Sequence, residues 1–268
     1  MPVITISRGS YSKGKEIAEK LASKLSYECV SRDILIETSE QFNIPEVKLI
    51  RALHDAPSIL ERFTHGKEKY VAYIKKALLE HVAKGNVVYH GLAGHFFLQG
   101  ISHVMKVRII ANLEDRVREE MKRENIAEAK ARQIVAKDDE ERRKWGLHLY
   151  GMDTFNASLY DIVLHIDSIS VDEAVDILAH VSTYPCFNTT ESSQREFLDR
   201  LLAAKAEALL VEKFPAIKVS AKEGVVHVHF HNSHSDSGKI NLQVCDLLKD
   251  VDGVKGVWTN LLRDHRFE

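Results

Sequence analysis

The stretch Ile4-Thr5-Ile6-Ser7-Arg8-Gly9-Ser10-Tyr11-Ser12-Lys13-Gly14-Lys15-Glu16 decides how this chain is read. Val3 to Ile6 is an apolar run of β-formers that stops at Ser7. A turn bounded by Gly9 and Gly14 follows, and Ile17, Ala18, Leu21, Ala22 and Leu25 then recur at helical spacing. Strand, glycine turn and helix in this order frame a phosphate-binding loop, and Gly9 to Lys15 fits the spacing G-x-x-x-x-G-K. Glycines let the backbone curl so that successive N–H groups point inward, and the helix start adds partial positive charge. Lys15 would reach the outer phosphates of a nucleotide. Glu16 stands where such loops carry the Ser or Thr that holds Mg²⁺, and a carboxylate there would repel phosphate. On this stretch alone, the alternative is an ordinary strand–turn–helix with Lys15 in solvent.

The 268 residues suit one large domain, or a medium domain with a small one. A hydrophobic content of 44% supports a packed core, and a net charge of −2 gives no global pull toward nucleic acid or an anionic membrane. No apolar run reaches the length of a membrane span, and no signal peptide opens the chain. Cys29, Cys186 and Cys245 are odd in number and far apart, so they form neither a metal motif nor a disulfide framework. The expectation is a soluble cytoplasmic protein with reduced thiols and no nucleic-acid partner.

Working outward, Tyr27 to Val30 reads as a second strand that ends in Ser31-Arg32-Asp33. Ligands of open α/β sheets bind at the carboxyl ends of strands, so Arg32 could hold a substrate phosphate; a surface pair with Asp33 is the alternative. Residues 34–85 look almost wholly helical, longer than a crossover needs, as a substrate-side flap would be. Val87-Val88-Tyr89 is a third strand that runs into His90-Gly91-Leu92-Ala93-Gly94-His95. Val104 to Ala111 is a fourth. From Leu113 to about Trp145 a highly charged helical region follows, dense with arginines at Arg116, Arg118, Arg132, Arg142 and Arg143. Most of these belong to a solvated helical pair with i,i+4 ion pairs, but the cluster Lys137 to Lys144 suits a mobile lid whose arginines clamp phosphate. Tyr160 to Ile166 is a fifth strand, and Ser170-Val171-Asp172-Glu173 opens a helix as a capping box. Strands alternating with helices imply a parallel sheet covered on both faces.

Together these blocks resemble the cytidylate kinase-like family of P-loop nucleoside monophosphate kinases. The resemblance covers about residues 1–180. It rests on Ile4 to Arg8 with Ser12 to Ile17, on Ser31-Arg32-Asp33, on Asp115-Arg116-Val117, on Asp138-Asp139-Glu140-Glu141-Arg142-Arg143, and on Tyr160-Asp161-Ile162-Val163 with Ser170 to Val175. It makes an acidic Glu16 a family feature. What it implies is a five-stranded parallel sheet over residues 1–183, with a helical monophosphate-binding region at 33–85 and a lid at 118–150. ATP with Mg²⁺ would bind on Gly9, Ser10, Tyr11, Ser12, Lys13, Gly14, Lys15 and Glu16. Lys15 would neutralise the transferring phosphoryl group, Arg116 would lie against the adenine, and Arg142 and Arg143 would swing in with the lid. Ser12, Glu16, or phosphates and water alone would complete the Mg²⁺ shell. Arg32 and Gly91 fall on the acceptor side. One departure stands out: the family's Gly-Arg-Asp after the third strand is Gly91-Leu92-Ala93 here. Losing that arginine would weaken monophosphate binding by about 1.5–3 kcal/mol, so CMP is in doubt as the acceptor.

After a polar linker at 184–192, residues 193–268 read as α-β-β-α-β, a small α+β unit. Glu223-Gly224-Val225-Val226 and Val251 to Val257 give it a pattern-level resemblance to a BON domain, which implies a protein or ligand partner. His227, His229 and His231 alternate with apolar residues and share one strand face, with His234 beyond. They form an imidazole-rich open face, and no metal site is assigned to them. The function expected is an ATP-dependent phosphotransferase acting on a nucleoside monophosphate or similar small phosphorylated acceptor. The alternatives are an ATP-binding regulator that transfers little and, further off, a partner-binding scaffold that has lost nucleotide affinity.

Overall fold

The computed structural model describes residues 2–9, 12–31, 38, 40, 42, 66–91, 94–215, 217–231 and 237–262. The run of β-formers Val3–Arg8 is strand β1, with Val3, Ile4, Thr5 and Ile6 all buried. It leads through the glycine turn into helix α1 (Gly14–Leu25), and the chain returns as β2 (Glu28–Val30). Most of the expected helical insertion lies outside the described residues; its last part is α2 (Gly66–Val82). Strand β3 (Val87–Tyr89), the short helix α3 (Gly94–Phe97) and strand β4 (Val104–Ala111) follow. The charged region forms two helices, α4 (Leu113–Glu124) and α5 (Glu128–Tyr150), before β5 (Ile162–Ile166) and α6 (Val171–Val181).

The five strands form one sheet in the order β2-β3-β1-β4-β5, with every pairing parallel. The chain leaves β1 for one side of the sheet and crosses it for the other, so β1 stands at the topological switch point. Ligands of open parallel sheets bind beyond the carboxyl ends of strands at that point. Helices cover both faces, as all-parallel pairing requires. Ile4, Ile6, Ile17, Leu21, Val107 and Leu178 fill one core between the sheet, α1 and α6. Val3, Tyr89, Leu78, Phe97 and Leu98 fill the other, under α2 and α3. The capping box expected at the start of α6 is present: the Ser170 hydroxyl accepts from the Glu173 N–H, and the Glu173 carboxylate accepts from the Ser170 N–H.

Beyond α6, the stretch expected as a loose linker contains Phe187, which is buried in the α1–α6 core. Helix α7 (Glu191–Leu210) begins at a Thr190 cap. Its Phe197, Leu201, Ala204 and Ala208 pack into the core beneath α2. Its Leu202, Ala206 and Leu210 pack instead on a second, three-stranded sheet. Lys75 and Tyr73 of α2 add hydrogen bonds to Glu207 of α7 and to Glu212 just beyond it, at 2.9 and 2.8 Å. One helix therefore serves both cores. The second sheet contains β6 (Ile217–Lys222), β7 (Val225–His231) and β8 (Gly256–Leu262), with helix α8 (Ser237–Leu248) between the last two. Its order is β6-β7-β8, antiparallel then parallel. The final strand begins at Gly256, not at Val254 as the apolar pattern suggests. The preceding turn is tied down first, with the Lys255 N–H donating to the Gly224 carbonyl at 2.8 Å.

Candidate nucleotide-binding site

The loop between β1 and α1 has the local structure that its glycines permit. Lys13 takes a left-handed φ of 64° and precedes α1 without a side-chain cap. The first N–H groups of the helix are thus left for a ligand, where the helix dipole favours an anion. The buried Ser12 hydroxyl donates to the Gly9 carbonyl at 3.0 Å and pins the loop from inside. The two glycines matter through close approach. A Cβ on Gly14 would lie 2.7 Å from Arg8 Cβ and 2.8 Å from Arg8 Cδ. A Cβ on Gly9 would lie 3.1 Å from an Arg116 nitrogen. Ser10 and Tyr11 lie outside the described residues.

Lys15 is 65% exposed at the helix start, with Glu19 one turn on at 3.6 Å. Glu16 points down the helix toward Lys20, 3.4 Å away, and Lys20 also binds Asp172 at 2.8 Å. Its charge is drawn off the loop, which removes the objection that a carboxylate there repels phosphate. The same geometry removes Glu16 as a ready Mg²⁺ ligand, and Ser12 is engaged within the loop. At the loop, the described residues therefore offer a divalent cation no dedicated protein ligand.

Arginines surround the loop. Arg116 of α4 is nearly buried and donates both terminal nitrogens to Asp139 of α5, at 2.8 and 2.7 Å. This fork ties the expected lid to the loop, because the guanidinium also lies against Gly9. Arg142, one turn on, is 3.8 Å from the same carboxylate. Burial lowers the Arg142 pKa first; Asp138 and Asp139 oppose this, and the charges of Arg116 and Arg108 add to it. Arg8 behaves alike: burial lowers its pKa most, then the charge of Arg142. Among the described residues, Arg8 Nε and Arg142 Nη1 are buried atoms without a hydrogen-bond partner, although Arg142 Nη1 keeps the 3.8 Å ion pair to Asp139. Two desolvated, mutually repelling guanidiniums with unused donors beside a phosphate loop are a site built to receive an anion.

On the other face of β1, Arg108 of β4 is registered with Ser7. It donates to the Thr154 carbonyl and to the Tyr160 hydroxyl, and its guanidinium lies 5.0 Å from the Phe155 ring centroid. The Tyr160 hydroxyl is also within 3.3 Å of Ser7 Oγ and 3.4 Å of His95 Nε2. Burial, then Arg108, lowers the His95 pKa to about 3, so the imidazole is neutral near pH 7. Gly91 and Gly94 make room for the buried Tyr89 ring: a Cβ on Gly91 would lie 2.3 Å from its hydroxyl oxygen.

The residues expected from sequence divide in three. Gly9, Ser12, Lys13, Gly14, Lys15, Glu16, Arg116 and Arg142 gather at or around the loop, while Gly91 closes the end of β3. Arg143 is engaged instead with Asp153 at 2.8 Å, in a partly exposed pair. Ser10, Tyr11, Arg32, Leu92 and Ala93 fall outside the described residues. Sequence reasoning missed Arg8 and Arg108 as site residues. The available signal was an arginine in each of two mostly apolar strands, beside Thr5 and Ser7 in β1 and Lys106 in β4, since a buried charge must be answered by something.

A parallel sheet of this order, with a glycine loop between β1 and α1, defines a P-loop fold of the nucleoside monophosphate kinase type, and a second small sheet follows it. The chain belongs to the cytidylate kinase-like family, whose profile matches residues 3–168. It is therefore a nucleotide kinase-like phosphotransferase by family. It is 24% identical over 179 residues to the cytidylate kinase of Sulfolobus acidocaldarius, spanning 66% of this chain and 92% of that one. It is 28% identical over 105 residues to the cytidylate kinase of Staphylothermus marinus, spanning 39% of this chain and 59% of that one. Among solved structures, an uncharacterized protein from Eubacterium ventriosum superposes with a TM-score of 0.51 at 18% identity, over 69% of this chain and all of that one.

Proposed function

We propose that this chain transfers a phosphoryl group from ATP to a nucleoside monophosphate or a similar small phosphorylated acceptor. The observation that carries the reading is the pair of buried donors, Arg8 Nε and Arg142 Nη1, that make no hydrogen bond among the described residues and stand beside the glycine loop. The donor set fits a nucleotide with Mg²⁺. ATP supplies the phosphoryl group, and the cation arrives held by its phosphates and water. The N–H groups at the start of α1 bind phosphate oxygens, and Lys15 leaves Glu19 to neutralise the outer ones. Arg142 and Arg8 face the charge that spreads over the equatorial oxygens during transfer. The work is positioning and electrostatics, with no covalent intermediate on the protein. Arg116, locked to Asp139, holds α5 over the loop and keeps water out. On the acceptor side, Arg108 takes the acceptor phosphate in place of the arginine that Leu92 replaces. Arg143 joins only by giving up Asp153. In this reading the chain acts in the cytoplasm, where ATP is available, and its αββαβ unit is a BON-like binding module, a reading supported by element order alone.

The test is ADP release with Mg²⁺-ATP against each nucleoside monophosphate. Turnover with one acceptor, abolished by Lys15→Ala and shifted to higher KM by Arg108→Ala, supports the reading. Stabilisation by ATP without turnover on any acceptor sinks it in favour of a nucleotide-sensing regulator.

A further inference from the structure

The three-stranded sheet β6-β7-β8 carries helices on one face. Leu202, Ala206 and Leu210 of α7, with Ile240, Val244 and Leu248 of α8, pack on Val226, Val228 and Phe230 of β7. Side chains of a strand alternate between faces, so the residues between these point the other way. No described helix covers them. The register sets His229 between Lys218 and Asn260, and His227 between Ser220 and Trp258. Trp258 is 49% exposed, and its ring stands edge-on to both His227 and His229, with centroids 5.5 and 5.9 Å apart. Lys218 and Lys222 are exposed along the neighbouring strand. No carboxylate occupies the outward positions of the three strands among the described residues.

This composition is unlike the rest of the molecule. The chain holds 39 acidic and 37 basic residues, so a patch free of carboxylates and bearing two lysines is a local concentration of positive charge that net charge conceals. A protein partner would be expected to find an apolar centre ringed by polar groups. Here Trp258 has His227 and His229 beside it, and Lys218 and Lys222 lie two strands away on β6. A membrane surface would need several insertable apolar side chains, and among those described on this face only Trp258 is exposed. An exposed flat ring on a sheet, with two part-buried imidazoles beside it and ammonium groups two strands away, matches unpaired bases joined by phosphates. Duplexes hide their base faces and would use the lysines alone.

We propose that this face of the C-terminal sheet binds single-stranded nucleic acid, with bases stacking on Trp258 and the adjacent imidazoles and phosphates meeting Lys218 and Lys222. The net charge of the chain argues against such a partner, and the sheet face argues for one. This site is separate from the phosphate loop and does not depend on the kinase reading.

The test is fluorescence anisotropy with the full chain and labelled oligouridine or oligothymidine of about 12 nucleotides, long enough to cross three strands. Expected is micromolar affinity at low salt, weakened about tenfold or more by Trp258→Ala and largely kept by Trp258→Phe. Lys218→Gln with Lys222→Gln should reduce the slope of log affinity against log salt by roughly 1.4, at about 0.7 per phosphate contact on a single strand. The ratio between the two oligonucleotides tells RNA from DNA. The proposal fails if neither binds, if the sheet variants bind like the parent, or if ATP displaces the oligonucleotide and Lys15→Ala abolishes binding. It also fails if vesicles rich in anionic lipid are bound through the same residues while the oligonucleotides are not.

Discussion

Replacing Asp139 by Asn should destabilise the region around the loop more than any single surface change. The carboxylate accepts from both terminal nitrogens of Arg116 and stands 3.8 Å from Arg142. The two side chains of the fork are 11% and 22% exposed, so water screens them weakly. Two unit charges about 4 Å apart interact by about 4 kcal/mol at an effective dielectric of 20. An amide keeps the shape and one acceptor, but it leaves Arg116 and Arg142 facing each other without a negative charge between them. Breaking a buried pair by removing one partner costs about 3–5 kcal/mol. Residual exposure and the retained amide bring the expectation to about 2–3 kcal/mol. For a chain of this size, that is a melting temperature lower by roughly 4–12 °C. Thermal unfolding followed by circular dichroism reads it directly. Adding Arg116→Met to Asp139→Leu should recover the part of the loss owed to Arg116, since that partner then carries no unanswered charge, while Arg142 keeps the cost of losing Asp139. A melting temperature for Asp139→Asn within about 1 °C of the parent, or a double variant worse than the single one, would refute the reasoning.

Other expectations follow from single contacts. Lys15→Ala should leave the melting temperature nearly unchanged, because Lys15 is exposed and its ion pair among the described residues is with Glu19 one turn away, while ATP-dependent turnover disappears. Gly14→Ala should cost about 1–3 kcal/mol by thermal unfolding, since the clash with Arg8 outweighs the roughly 1 kcal/mol that alanine gains in a helix. Arg8→Ala should relieve part of that cost, because the clashing Cδ leaves and the Cβ stays. The folded pKa of His95 lies below its unfolded value, so its neutral form favours the folded state fully above about pH 6.5. That contribution falls as pH drops toward about 3, by up to roughly 1.4 kcal/mol per pH unit. His95→Phe should flatten the acid limb of a stability–pH curve. Lys75→Ala should loosen the union of α2 and α7 by about 1 kcal/mol, measured as faster amide exchange in both helices.

The sheet strands, the glycine loop and the family frame are legible along the chain, because each is written in local terms. Apolar runs of strand length, glycines at fixed spacing and a Ser-x-x-Glu cap depend only on neighbours along the chain. Spaced motifs also singled out Arg116 and Arg142, which the fold brings beside the glycine loop. Tertiary structure decided what each charge does. Arg142 and Arg143 are adjacent in sequence, yet side chains one residue apart on a helix point about 100° apart, so one faces the loop and the other Asp153. Glu16 read as a repulsive carboxylate until Lys20, held also by Asp172 from another helix, drew it away. Arg8 and Arg108 became site residues only when β1 and β4 paired and carried them to the same end of the sheet. The boundary between the two cores was illegible for a similar reason. Helix α7 presents one apolar stripe to α2 and another to the second sheet, and a single chain of residues cannot say which partner each stripe will meet.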